Sequence, residues 1–169
     1  MCLGRAYGTT TIDGCKFGFC HSTYERGGAH GSDPTLIARW CSSGEFDYVL
    51  YGHVHYFNLK FPSDPCRTVL LNPGGFYYQN PRTIVILDIT SQKVELYFCE
   101  PADNSFALAS IIQLHTRRCE SGPLWNKYVE AVIKMRRKRR EYWKQNHYLC
   151  DQKEDWLKID RFLSGERII

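Results

Sequence analysis

A chain of 169 residues, 43% hydrophobic and 14% aromatic, is long enough for one packed domain or for a small domain with an extension, and too apolar to be disordered throughout. No run of about 18 apolar residues occurs, so no transmembrane helix is expected. The opening Met-Cys-Leu-Gly-Arg-Ala lacks the apolar stretch of a secretory signal, so the expectation is an intracellular, cytoplasmic protein, with a nuclear location left open. The net charge of +4 is unevenly spread: Arg117 to Lys144 is strongly basic, while the first hundred residues are nearer balance. The eight cysteines (Cys2, Cys15, Cys20, Cys41, Cys66, Cys99, Cys119, Cys150) are scattered without a Cys-x-x-Cys pair and read as reduced thiols, several of them in the core. Zinc at Cys15, Cys20 and His21 is an alternative, although the spacing fits a zinc ribbon poorly.

In chain order, residues 15–20 read as a short strand ending at His21. A polar, glycine-rich loop runs from Ser22 to Asp33. Pro34 then sits where helices begin, after a Ser32 or Asp33 cap, with Leu36, Ile37 and Trp40 on one face and Gly44 at the end. Residues 46–51 form a strand with few charges, suited to a buried sheet. After the turn 52–55 come strands over 56–61 and 68–71, the latter ending in the turn Asn72-Pro73-Gly74-Gly75. Residues 83–88 and 93–99 form a hairpin joined around 90–92. The first hundred residues thus read as β-α-β followed by strands, one layer of an α/β sandwich. Beyond residue 100, a long helix is expected over Leu124–Leu149, with Leu124, Tyr128, Val132, Met135 and Trp143 as its apolar positions, and a short one over Asp155–Leu163. The expected division is 1–100 and a basic helical extension, 101–169.

Three histidines follow predicted strands: His21 after the first, His53 and His55 after the second. In open α/β sheets, ligands bind beyond the carboxyl ends of the strands. His53 and His55 are two apart, so in extended chain they point the same way, and Gly52 permits the sharp turn before them. Neutral imidazole suits zinc, iron, manganese or nickel. A lone His-x-His also occurs as a structural turn.

The stretch Phe46-Asp47-Tyr48-Val49-Leu50-Tyr51-Gly52-His53-Val54-His55 resembles the Asp-hydrophobic-Gly-His-Thr-His segment of calcineurin-like metallophosphoesterases. Leu70-Leu71-Asn72-Pro73-Gly74-Gly75 resembles the family's Asn-Pro-Gly-Ser turn, Thr83 to Asp88 the strand that follows it, and Lys16 to His21 the strand ending in a metal-binding histidine. The likeness covers residues 14 to 100 and is strongest to the small bacterial and archaeal phosphodiesterases and the retromer-subunit branch. It implies an α/β fold: the C-terminal half of a metallophosphoesterase sandwich, β-α-β plus antiparallel strands, carrying a C-terminal helical extension. It further implies that His21 and His53 ligate one divalent cation and His55 a second, while Gly52, Asn72, Pro73 and Gly74 shape a nearby turn, with Asn72 structural rather than a ligand. The family uses two such ions, often manganese, to activate a water against a phosphate mono- or diester.

The family's Asp-x-His, Gly-Asp and Gly-Asn-His-Asp motifs are absent, so no catalytic residue is matched, and no bridging carboxylate offsets the charge of two cations. The chain is accordingly expected to be a fragment, to pair with a chain or segment supplying the N-terminal half, or to be a relative that lost catalysis. Gly75 and Val54 replace a serine and a threonine, and Thr23 stands where a further histidine is common. His30, in the loop Gly27 to Gly31, is a candidate substrate contact or a solvated loop histidine. Arg136, Arg137, Lys138, Arg139 and Arg140 are candidate nucleic-acid contacts with Tyr142 and Trp143 as stacking partners; a solvated helix face, a partner interface or a nuclear localisation signal are the alternatives. The function expected is a metal-dependent phosphoesterase, incomplete in this chain. The alternatives are a non-catalytic protein-binding module on the same fold and a basic nucleic-acid-associated protein. No membrane partner is expected.

Overall fold

The computed structural model describes residues 7–20, 39–41, 43–52, 55–62, 68–75 and 81–145, the stretch 139–145 by backbone alone. Its first sheet contains β1 (Tyr7–Ile12), β2 (Cys15–Cys20), β3 (Tyr48–Tyr51), β4 (Phe57–Lys60) and β5 (Val69–Pro73), in the spatial order β1-β2-β3-β5-β4. β2, β3 and β5 run parallel, and β1 and β4 add to them antiparallel at the edges. The second sheet is an antiparallel meander of β6 (Thr83–Asp88), β7 (Lys93–Cys99), β8 (Phe106–Gln113) and β9 (Arg118–Ser121). Helix α1 (Trp125–Gln145) follows. The architecture is mixed α/β, two sheets with a C-terminal helix, as the sequence implies.

Local chemistry explains most of these elements. Tyr48-Val49-Leu50-Tyr51 and Val69-Leu70-Leu71-Asn72 are buried or nearly so at successive positions, as strands covered on both faces must be. Gly18 of β2 lies directly beneath Trp40: a Cβ there would come within 2.7 Å of the indole. Its missing side chain therefore makes room for the helical residues 39–41 to rest on the sheet. Of the helix expected from Pro34, residues 34–38 lie outside the described residues, and Gly44 ends it at φ 62.

No strand is expected before residue 15, yet β1 pairs along the whole of β2. All six of its residues are exposed, so it leaves no apolar alternation to read. Asp13 and Gly14 at φ 48 and 81 make the two-residue hairpin turn that fixes it, and Asp-Gly is the signal that marks such a turn.

Residues 106–121, read as part of a helical extension, are instead β8 and β9. Phe-Ala-Leu-Ala-Ser mixes helix formers with small residues, which blurs a period of two. Ala109 and Ser110 are fully buried in the sheet, and pairing along β7 decides the conformation. α1 begins one residue after its expected start, and its described part ends at Gln145; residues 146–149 and the helix expected over Asp155–Leu163 lie outside the described residues. No described helix is long and apolar enough to cross a membrane.

The core forms two clusters, each drawing on both sheets. Phe17, Tyr48, Val69 and Leu71 meet Val94, Ile112 and Leu114. Cys20, Val49, Tyr51 and Leu70 belong with Leu96, Phe98, Ala109 and the inward residues of α1, Tyr128, Val132 and Met135.

Candidate functional site

The three parallel strands end at one rim. Cys20, last in β2, is in register with Tyr51, last in β3, and the Gly52 N–H donates to the Cys20 carbonyl at 3.1 Å. The segments leaving β2 and β3 therefore start side by side. β5 flanks β3 on its other side, and its terminal turn is tied to the same exit. Asn72 is fully buried; its Nδ2 donates to the Gly52 carbonyl at 3.0 Å, while its Oδ1 accepts from the Gly74 N–H at 2.7 Å. Both ends of the amide hold backbone, so Asn72 clamps two turns together rather than offering a donor to a ligand.

Gly74 sits at φ 89, and a Cβ there would come within 2.1 Å of Thr83 Oγ1, a hydroxyl that donates to the Pro73 carbonyl at 2.7 Å. A Cβ on Gly75 would lie 3.2 Å from the Cβ of His55, so this turn forms the wall against which half-buried His55 is set. Gly52, His55, Asn72, Pro73 and Gly74 are thus brought together. His21, His53 and His30 lie outside the described residues, as do Val54 and Thr23.

Among the described residues no group of three or more His, Cys, Asp or Glu side chains converges as a metal site. His55 is the member of the expected trio that falls within them. Three neutral imidazoles suit one borderline divalent cation, whereas two would require carboxylates that this rim does not show among its described residues. The zinc alternative fails on geometry. Cys15 and Cys20 stand at opposite ends of β2, on the order of 16 Å apart in extended chain, beyond the reach of one tetrahedral ion. Burial also pushes the Cys20 thiol from its ordinary 9.0 up to about 11, so it is protonated at neutral pH and a poor ligand.

The Phe57 N–H, two residues beyond His55, donates to the Tyr128 hydroxyl of α1 at 2.9 Å, a contact spanning 71 residues. The Arg136 guanidinium lies 5.8 Å above the ring of Tyr56. Tyr128 is legible as a core position, but no local pattern pairs it with Phe57. Arg136 is a half-buried strut beside the rim, Arg137 and Lys138 are exposed, and the side chains of Arg139 and Arg140 fall outside the described residues.

No protein-family model matches the chain, and no curated protein matches it. Solved structures with some likeness include Vps29 of Chaetomium thermophilum, 14% identical with a TM-score of 0.43 over 70% of this chain and 60% of that one. The same protein complexed with a RaPID-derived cyclic peptide is 12% identical, with a TM-score of 0.44 over 70% and 63%. The solution structure of a Thermotoga maritima protein, TM1076, is 16% identical, with a TM-score of 0.29 over 60% and 52%. The chain spans less than two thirds of each of these structures.

Proposed function

We propose that this chain contributes the histidine half of a metal-dependent phosphoesterase centre, with His21, His53 and His55 as the ligands. The observation that supports it is the shared rim: the segments carrying all three histidines leave adjacent parallel strands joined by the Gly52–Cys20 hydrogen bond, at the end of the sheet where α/β folds bind ligands. A divalent cation bound there would supply Lewis acidity toward a phosphate ester and lower the pKa of water. The chain's own part is positioning. Asn72 locks the exit of β3 to the end of β5, and the Gly74-Gly75 turn sets His55. The carboxylates that would offset a second cation come, in this reading, from another segment or chain.

The test is metal content. The full chain, incubated with Zn²⁺ and dialysed, is expected to retain about one ion, and His53→Ala and His55→Ala each to lose it with an unchanged circular dichroism spectrum. Wild-type protein without metal, or retention by both variants, would overturn the reading and leave a structural turn.

A further inference from the structure

The segment that carries His53 and His55 joins β3 to β4, and its two described ends are held by different means. At its start both backbone polar groups of Gly52 are taken by the parallel sheet: the N–H donates to the Cys20 carbonyl, and the carbonyl accepts from Asn72 Nδ2. At its end the hold comes from α1. β4 is the outer strand of the first sheet, and Phe57 stands opposite Pro73, which has no N–H to share. The Phe57 N–H donates instead to the Tyr128 hydroxyl at 2.9 Å. Its neighbours are held as well. The Arg136 guanidinium lies 5.8 Å above the ring of buried Tyr56, and the Tyr51 hydroxyl donates to Asn58 Oδ1 at 3.2 Å. Tyr128 is a firm anchor for this strand. Its ring is 4% exposed and packs against Phe98 and Trp125, with ring centres 5.7 and 5.9 Å away.

We infer that Tyr128 is a positioning residue for the histidine centre. By fixing the backbone of Phe57 it sets His55 against the Gly75 wall, so that cation binding at the rim and docking of α1 onto β4 stabilise one another. This rests on the histidine reading of the rim and names the element that regulates it. A metal-bound imidazole must keep its place and its ring plane, and a ligand already held before the ion arrives loses less freedom on binding it. The hold is tertiary, across 71 residues, so loosening α1 from β4 weakens the site. By reciprocity, the ion tightens the contact between α1 and β4.

The test measures the Zn²⁺ affinity of the full chain by competition with a chromophoric chelator, with hydrogen exchange of the Phe57 amide followed by NMR. Tyr128→Phe keeps the ring and removes only the acceptor, and is expected to bind zinc about fivefold more weakly, the low end of a coupling between sites. Val94→Ala is the control for general loosening. Val94 is fully buried and pairs with Leu87, at the far end of β6 from Thr83, whose hydroxyl meets the rim turn. This variant is expected to lose stability and keep its zinc affinity. In wild type, saturating zinc is expected to slow exchange of the Phe57 amide. Unchanged affinity in Tyr128→Phe, an equal fall in Val94→Ala, or Phe57 exchange indifferent to zinc would each overturn the inference and leave the rim reading standing. Wild type that holds no zinc would overturn both, so the two failures are distinguishable.

Discussion

The two sheets share core clusters but present their strands differently. β3 and β5 are covered on both faces, so their residues are apolar at successive positions and can face chemistry only at their ends. β7 alternates: Val94, Leu96 and Phe98 are fully buried, while Lys93, Glu95 and Tyr97 lie between them, half-buried on the outer face. There Lys93 pairs with Glu95 at 2.8 Å, and Glu95 accepts from the Tyr97 hydroxyl at 2.9 Å. β6 leaves Ile84 and Ile86 on that face, 41% and 50% exposed. The parallel sheet thus concentrates its functional residues at one rim, and the meander backs it and carries α1 to it. Parallel order costs long crossovers, but it gathers several loop starts at one place, which a hairpin meander cannot do.

The largest expected effects test whether the two sheets are one folding unit. Leu71 and Leu96 are 3% and 0% exposed, one in each sheet. Truncating either to Ala should cost about 3 kcal/mol, by lost burial plus the cavity left behind. Urea denaturation followed separately by fluorescence and circular dichroism should show one coincident transition, shifted by similar amounts in both variants. Two separated transitions, with each substitution moving only one of them, would break the shared-core reading.

A smaller effect is expected at the rim, where stability rests on hydrogen bonds rather than volume. Asn72→Ala leaves the Gly52 carbonyl and the Gly74 N–H without their partner, at a cost of about 2 kcal/mol. Asn72→Asp keeps the acceptor for Gly74 but sets a fully buried carboxylate against the Gly52 carbonyl, so at neutral pH it should cost more than Ala, through desolvation and repulsion. An Asp variant more stable than the Ala variant at pH 7 would show that the site is open to water. Chemical denaturation of the three proteins side by side decides it.

The contrast between sheets also explains what the sequence made legible. Strands 15–20, 83–88 and 93–99 match the structure residue for residue, because each is bounded by glycine or polar turn residues and carries β-branched or aromatic side chains. The expected turn at 72–75 coincides with the local half of the Asn72 clamp, its bond to Gly74 two residues on, whereas the other half reaches Gly52 across 20 residues. β1 was hidden because an exposed edge strand has no burial pattern, and β8 because Ala109 and Ser110 are small where they pass through the core. The junction of α1 with the rim was illegible for a different reason: Tyr128 and Phe57 are 71 residues apart, and a single long-range contact leaves no local signature. One sequence can show which residues are ligand types and which turns they sit on. It cannot show that Arg136, first in a run of five basic residues, is held by Tyr56 while Arg137 and Lys138 face water.

The smallest expected effect isolates that junction. In Tyr128→Phe the ring stays, with its edge-on contact to Phe98 at 5.7 Å, and only the acceptor for the Phe57 N–H is lost. The cost should be about 1 kcal/mol at pH 7, the usual worth of one such bond. Its pH dependence reports the burial of the hydroxyl rather than the bond itself, because the Phe57 N–H that donates to the phenol oxygen acts in the opposite direction and lowers the pKa. Burial raises the Tyr128 pKa above its ordinary 10.0, so the folded state holds this proton more tightly than the unfolded chain does. The resulting stabilisation is fully present below pH 10 and is lost as pH rises toward the folded value. Wild type should therefore lose stability through this group above pH 10, whereas Tyr128→Phe, having no proton to release there, should lose less, and the two curves should converge. Tyr51 and Cys20, raised by burial as well, titrate in both proteins and cancel in the difference. Parallel curves between pH 8 and 11 would mean that the hydroxyl is not desolvated in the folded state, whereas equal stability at pH 7 would mean that the phenol contributes only its ring and that α1 is held to the rim by the core residues Val132 and Met135 and by Arg136 on Tyr56.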